Sequence, residues 1–306
     1  MASFASRKNV QKVIFPGAIT DDQMCYKKIR KYDISHNKIA TQSHTYNDLF
    51  YKHGASNAID RNAATCTRTY PIGGNTPVET VWWKVDLGGV SSIYSINIQF
   101  KSYDGYVDRQ KGRLAGFSLY VSNSDVNSPD DIKKTTLCYK DEPKLPPLNL
   151  TKKCMEYGRY VIFYNERLNG IAYQEEYEVA NVFTELCEVI VQGCSNASIY
   201  GINCDTPCPT NCKDSTCHIE NGACSLCKPG LTGLDCKLKC REGWYGMNCT
   251  KLCVGHCRDD AACNHVTGFC DRGCAAGWKG DLCGEGFRIQ DFAVVLHSYT
   301  ILSTSV

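Results

Sequence analysis

At 306 residues the chain is long enough for two or more domains. Its 34 Lys and Arg against 32 Asp and Glu leave a formal charge of +2, too small an imbalance to steer nucleic acid or an acidic partner from a distance. Of its 21 cysteines, 16 fall between Cys194 and Cys283, a density of potential disulfides that excludes a reducing cytosol and points to an extracellular or lumenal setting.

The start, "MASFASRKNVQKVIFPGAIT", holds no continuous apolar run of signal-peptide length. No stretch supplies the roughly 18 consecutive apolar residues of a membrane span, so membrane anchoring is not encoded in this chain. The expectation is a fragment or incomplete gene model whose export signal lies elsewhere, either secreted or the ectodomain of a membrane protein. Residues 1–30 read as a leader without an assigned fold. The sequons at Asn149, Asn196 and Asn248 suit a secreted glycoprotein.

Residues 31–193 read as β-rich. In "SINIQF", Ile96, Ile98 and Phe100 alternate with Asn97 and Gln99; in "GFSLYVSNS", Phe117, Leu119 and Val121 alternate with Ser118, Tyr120 and Ser122. That period of two predicts strands with one buried face. "VWWKVDLGG", "RYVIFY" and "LCEVIVQG" are further strands, and at least one of Trp82 and Trp83 faces inward because adjacent strand residues point to opposite sides. "DEPKLPPLNLTKK", with three prolines, reads as a loop. Several short strands joined by Gly-, Asn- and Asp-rich loops predict an antiparallel sandwich or barrel.

After Gly193 large apolar residues thin out. Cysteines at 194, 204, 208, 212, 217, 224, 227 and 236 are echoed at 240, 249, 253, 257, 263, 270, 274 and 283, so residues 194–283 form an internal repeat. Units this small depend on cross-links in place of a core. Cys224-Ser-Leu-Cys227 has zinc-ligand spacing, but a disulfide framework accounts for far more of the cysteines. Residues 284–306 carry no cysteine and are left unassigned.

The repeat resembles EGF-like and laminin-type EGF modules of multiple-EGF-domain and scavenger-receptor-like proteins. The resemblance implies the pairs Cys208–Cys217, Cys212–Cys224, Cys227–Cys236, Cys240–Cys249, Cys253–Cys263, Cys257–Cys270 and Cys274–Cys283, with Cys194–Cys204 as a partial unit. Of the remaining five cysteines, Cys66–Cys187 and Cys138–Cys154 are the expected pairs, leaving Cys25 alone. The acidic cluster that usually precedes a calcium-binding EGF module is not seen, and the modules are expected to act as a stalk or spacer.

"NKIATQSHTY", "ASNAIDRN", "CTRT", "WWKVDLGG", "GRLAGFSLYVSNS", "GRYVIFY" and "LCEVIVQG" together resemble the F-type lectins (fucolectins). The resemblance implies an all-β, discoidin-like jelly-roll sandwich, followed here by the disulfide-rich modules. It further implies a Ca2+ ion wrapped by the "ASNAIDRN" loop. The ligands would be the carboxylates of Asp60 and Glu188 and the carbonyls of Asn57, Asn62, Thr65 and Cys187. Six or so hard oxygens with two negative charges form a sound calcium shell.

F-type lectins hold fucose with a histidine just after the first cysteine and an Arg-x-Asp-x4-Arg/Lys pattern. Here Arg68 stands at the histidine position, Asp108 and Arg113 keep the Asp-x4-Arg relation, and Tyr106 replaces the first arginine, whose role Lys101 would take if the loop carries an insertion. The implied ligand-binding residues are therefore Arg68, Lys101, Asp108 and Arg113. Their ligand would be a fucose-type glycan or an anionic one, since arginine forks match oxyanions.

No nucleophile motif, phosphate loop or His-x3-His pair attaches to the chain, so it is expected to bind rather than catalyse. The expected role is calcium-dependent carbohydrate recognition on an EGF-like stalk, as in a scavenger or innate-recognition receptor. The alternative is an adhesive protein whose β domain and modules contact cell-surface or extracellular proteins without binding sugar.

Overall fold

A 21-residue strand organises the β-rich half. In a computed structural model of the chain, which describes residues 32–48, 52–69, 79–141, 143–180 and 182–286, "VWWKVDLGG" and "SINIQF" belong to one strand, β3 (Thr80–Phe100). The first half of β3 pairs with β2 (Ile39–Gln42) and β7 (Tyr157–Glu166). Its second half pairs with β6 (Asn149–Lys153) and β8 (Leu186–Cys194). Strands β4 (Ser118–Ser122) and β5 (Thr136–Lys140) extend the first side, and β1 (Tyr32–Asp33) closes the second.

The two halves of β3 lie in different layers because the strand is broken twice. Between Asp86 and Ser91 its register with β7 shifts, at a turn where Gly88 has φ of +84° and donates its N–H to Asp86 Oδ1 at 2.8 Å. A second shift, between Ile93 and Ser95, moves the inward face from odd to even positions. Trp83, Val85, Leu87 and Ile93 therefore share one core with Ile96, Ile98 and Phe100. Leu119, Val121, Val161, Phe163, Val189 and Val191 complete it from the other strands. This is the all-β, discoidin-like sandwich, with small disulfide-bonded modules after it. Trp83 is the inward tryptophan, fully buried, and its indole N–H reaches the Ala55 carbonyl at 2.9 Å.

Three local expectations change. β4 is buried on both faces rather than one. A second apolar layer of Tyr120, Ile132, Tyr160, Ile162 and Tyr164, with Trp82 packed against it, covers the outer side. Ile132 belongs to a short helix, α2 (Pro129–Lys133), capped by Ser128. The segment "NLTKK" is strand β6, not loop, because all three prolines precede it and it pairs along one edge only, burying Leu150. The third is a helix not foreseen from the alternation, α1 (Val107–Leu114), which ends at Ala115 and Gly116 (φ +78°).

The modules are built from four small hairpins: β9 (Ile199–Tyr200) with β10 (Thr206–Pro207), β11 (Leu231–Thr232) with β12 (Leu238–Lys239), β13 (Trp244–Tyr245) with β14 (Lys251–Leu252), and β15 (Trp278–Lys279) with β16 (Glu285–Gly286). Each turn carries a glycine and a half-cystine at positive φ, as at Gly201 and Cys204. Thus Glu285–Gly286, left in the unassigned tail by cysteine spacing, completes the last hairpin. The repeat also shows in packing: Gly222 lies beneath the Tyr200 ring as Gly268 lies beneath Tyr245, and a β-carbon at either glycine would collide with the ring. Among the described residues there are ten disulfides, joining the cysteines in the pairs named above. Cys25 lies outside the described residues.

The first module sits against the sandwich. Ile219 packs with Tyr94, Cys194 and Met155, and the Tyr157 hydroxyl bonds the Ser225 hydroxyl. Among the described residues no helix is long and apolar enough to cross a membrane.

Candidate functional site

The segment Cys66–Thr69 runs beside Thr184–Cys187. Thr67 N donates to the Leu186 carbonyl at 2.8 Å, Thr69 N to the Thr184 carbonyl at 3.1 Å, and Thr184 N to Thr69 Oγ1 at 2.8 Å. The Cys66–Cys187 bridge fastens one end across 121 residues of sequence. In the chain-entropy picture a loop of that length contributes about 4–5 kcal/mol. Thr67 and Thr69 are buried, so Arg68 between them is turned the other way.

Arg68 faces a cavity of about 340 Å3 that Arg113, Arg109, Gln110, Tyr103 and Tyr106 also line. Behind three of these side chains lies Glu185, a buried carboxylate absent from the residues foreseen. Its Oε1 accepts from the Tyr103 hydroxyl at 2.9 Å and lies 3.3 Å from Arg68 Nε; its Oε2 accepts from Gln110 Nε2 at 3.0 Å. Burial, with the Glu185 charge and hydrogen bond behind it, pushes the Tyr103 phenol up to about 12. Tyr103 is thus a fixed donor at neutral pH. The Arg68 guanidinium also stacks on Tyr46, 4.7 Å from the ring centroid.

Helix α1 decides which residues meet. Positions i and i+5 lie about 140° apart on a helix, whereas i and i+3 or i+4 share a face. Arg109, Gln110 and Arg113 therefore reach the cavity together. Asp108 points to solvent, paired with Lys111 at 3.0 Å. It neither lines the cavity nor touches Arg113; Glu185 is the carboxylate that orients this site. Lys101 stands outside the lining, its ammonium 5.9 Å from the Tyr103 ring and its N–H on the Glu185 carbonyl at 3.2 Å. Arg113 is 8% exposed and lies over Phe183, 5.2 Å from the ring centroid. Burial first, then the neighbouring Arg109 charge, pulls its pKa below the usual arginine range.

A glycine and a buried arginine hold α1 in place. The 176–178 strand of chain crosses over Gly112, where a β-carbon would lie 2.3 Å from the Glu176 carbonyl oxygen. Arg167, buried at the end of β7, donates to the carbonyls of Gly112, Arg113 and Ala115 at 3.0–3.2 Å. Larger cavities, of about 450 and 400 Å3, lie around Tyr173 and Tyr177, and two more, of about 520 and 600 Å3, lie where the first module meets the sandwich. None holds an unpartnered buried cation, so size is a poor guide here.

The "ASNAIDRN" loop begins with a 3-10 turn, Ala55–Ala58, anchored by the Trp83 bond to Ala55. Asp60 Oδ1 accepts from Asn62 N at 2.8 Å and Asp60 Oδ2 from Thr65 Oγ1 at 2.6 Å. Glu188, 7% exposed, accepts from Arg61 N at 2.9 Å. Burial, and then the charges of Asp60 and Asp33, hold its carboxyl above the ordinary range. Asn57 Nδ2 donates to the carbonyls of Lys52 and Cys66, and the Asn62 carbonyl accepts from Thr65. The Arg61 guanidinium pairs with Asp33, at 3.3 Å, and not with Glu188. Among the described residues no group of three or more His, Cys, Asp or Glu is placed to hold a metal. Two carboxylates and loop carbonyls are the donor chemistry that calcium takes, and among the described residues Glu188 is a buried carboxylate with no ion-pair partner, close to the Asp60 and Asp33 charges.

A family profile described as "NedA-like, galactose-binding domain" matches residues 57–161, which include the loop, Arg68 and helix α1. A curated relative, Dendrite extension defective protein 1 of Caenorhabditis elegans, is 39% identical over 57 residues, covering 19% of this chain and 5% of that protein. A fucolectin from striped bass (Morone saxatilis) serum is 22% identical, with 53% of this chain and 47% of that one aligned and a TM-score of 0.37. The lectin domain of Lectinolysin, solved with Lewis B antigen, is 21% identical, covering 52% and 95% with a TM-score of 0.36. The chain thus spans about a twentieth of that curated relative and about half of the fucolectin. Residues 57–161 thus resemble a galactose-binding domain, within a sandwich of discoidin-like fold.

Proposed function

We propose that the protein recognises carbohydrate outside the cell, with the sandwich (residues 31–193) as the sugar-binding domain and the disulfide modules (residues 194–283) as its stalk. The observation that carries this reading is the polar cavity lined by Arg68, Arg109 and Arg113, whose guanidiniums are donors, beside Tyr103 and Gln110, which Glu185 holds in place. Convergent donors, an acceptor and flanking aromatic rings are what a hydroxyl-rich ring requires, and the profile match covers most of these positions. The ten disulfides favour an oxidising compartment, secreted or on an ectodomain.

Calcium is part of the proposal. Asp60 and Glu188, with the carbonyls of Asn57, Asn62, Thr65 and Cys187, would hold it. A bound ion would supply positive charge to offset the Asp60 and Glu188 carboxylates. Arg68 is joined to the same frame through the Cys66–Cys187 bridge, so ordering this loop also orders one wall of the cavity.

A second reading, protein adhesion through the modules, draws support from their exposed Leu234, Leu238, Leu252 and Val254. A glycan array probed with the full chain, with calcium and with a chelator, tests the first reading. Binding to defined glycans that weakens in chelator is the expected result. Absence of binding to every glycan, alongside retained binding to cell-surface protein, would leave adhesion as the function.

A further inference from the structure

Resting on the sugar-binding reading above, we propose that this cavity selects glycans bearing one carboxylate or sulfate group, seated on Arg113 with its uncompensated charge.

The charges around the cavity are unequal. Arg68 has Glu185 at 3.3 Å and Arg109 has Glu178 at 3.4 Å. Arg113 has neither ion pair nor side-chain hydrogen bond among the described residues, and its buried Nε lacks any partner. Three arginines thus face two carboxylates, one positive charge in excess. A buried, unpaired guanidinium is costly until an anion meets it. Its planar fork matches a carboxylate or sulfate oxygen pair, and the contact is charge-assisted. A neutral hydroxyl accepts one such bond but leaves the charge standing. A doubly charged phosphate brings more negative charge than the single excess offsets.

The other groups point to a sugar bearing that anion. Gln110 is 1% exposed, and its amide orientation is decided by chemistry. Its partner, the Glu185 carboxylate, only accepts, so the NH2 must face it. The Gln110 Oε1 is thereby left buried and without a partner, on a side chain that lines the cavity. It is an acceptor among donors, suited to one sugar hydroxyl. Tyr106, 62% exposed on the rim, offers a ring face for the apolar side of a pyranose.

Calorimetric titration of the full chain with 3′-sialyllactose, the methyl ester of 3′-sialyllactose, 3′-sulfated lactose, lactose and L-fucose tests this. The acidic sugars should bind about 10- to 100-fold more tightly than the ester and lactose, the range for hydrogen bonds between charged groups. Raising salt should narrow the gap, and the sialyl and sulfated arms tell carboxylate from sulfate. Arg113→Gln should abolish the preference, and the more exposed Arg109→Gln should reduce it less. Equal affinity for acid and ester, or tightest binding to fucose, overturns this inference and leaves the sugar-binding reading intact. No binding to any of the five, nor to any glycan on the array, overturns both. Should Arg113→Gln fail to fold, the comparison of acid with ester on the unaltered protein decides.

Discussion

Arg167 Nη2 donates to the carbonyl oxygen of Arg113 at 3.2 Å, so one buried arginine holds the backbone of another that faces the cavity. The same guanidinium reaches Gly112 and Ala115 through Nη2, Asn165 and Glu166 through Nη1, and Glu178 through Nε. It caps the carboxyl end of α1 and ties the 176–178 segment to β7. Arg167→Gln should destabilise the protein by about 3 kcal/mol, because several buried carbonyls lose their donor at roughly 1–3 kcal/mol each. Urea unfolding measures it, and glycan affinity should fall with it. A loss below about 1 kcal/mol would mean that water replaces the cap.

Gly112→Ala sets two effects against each other. Alanine improves a helix interior by about 1 kcal/mol. The new methyl would meet the Glu176 carbonyl oxygen at 2.3 Å, a backbone atom that cannot swing aside. Overpacking of this kind costs about 1–3 kcal/mol, so the melting temperature should fall. The displaced 176–178 segment should also carry Glu178 away from Arg109. A rise in melting temperature would show that the segment yields freely.

Calcium should raise the melting temperature of the chain, by the equivalent of about 2.7 kcal/mol at a hundredfold excess over Kd. Asp60→Ala should remove most of the gain by deleting one carboxylate and its bonds to Asn62 and Thr65. Glu188→Gln keeps an oxygen for Arg61 N but removes the other charge, and should also abolish the response. Identical melting in calcium and in chelator would remove calcium from the proposed function.

Acid should weaken the turn at which β3 changes layers. Asp86 accepts from Arg159 Nε and Nη2, both at 2.8 Å, and that pairing holds its carboxyl below the ordinary aspartate range. A depressed folded pKa gives stability that is present above the unfolded value and lost as pH falls through the folded one. The pair is partly exposed, so its contribution is about 0.5–1 kcal/mol. Asp86→Asn should cost that much at pH 7, and the difference from the parent should begin to shrink near the unfolded aspartate value, about pH 4, and vanish only below the depressed folded value. A difference that persists in acid would assign the effect to the Gly88 turn instead.

Much of this protein was legible without coordinates. Strand alternation named Ile96, Ile98, Leu119 and Val121 as core, because a two-residue period is a local property of the chain. Cysteine order marked out the modules for a similar reason, since their pairs lie 9–13 residues apart in sequence. Arg68 and Arg113 were singled out as ligand residues, and they do line one cavity.

Tertiary structure decided the rest. That Asp108 faces water while Arg109 and Gln110 face the cavity follows from α1, an eight-residue helix with Gly112 inside it and no side-chain cap, too weak a local signal to outweigh the strands around it. Glu185 meets Arg68 because the Cys66–Thr69 segment lies beside Thr184–Cys187, more than a hundred residues away. Burial on both faces of β4 came from α2 packing over it. Periodicity and spacing report on neighbours along the chain, so they determine strands and modules, while Arg68 and Arg113 were singled out by the resemblance to F-type lectins. Which charges remain unpaired depends on long-range contacts: among the described residues Arg113 has no ion pair, while Glu185 pairs with Arg68 and Glu178 with Arg109.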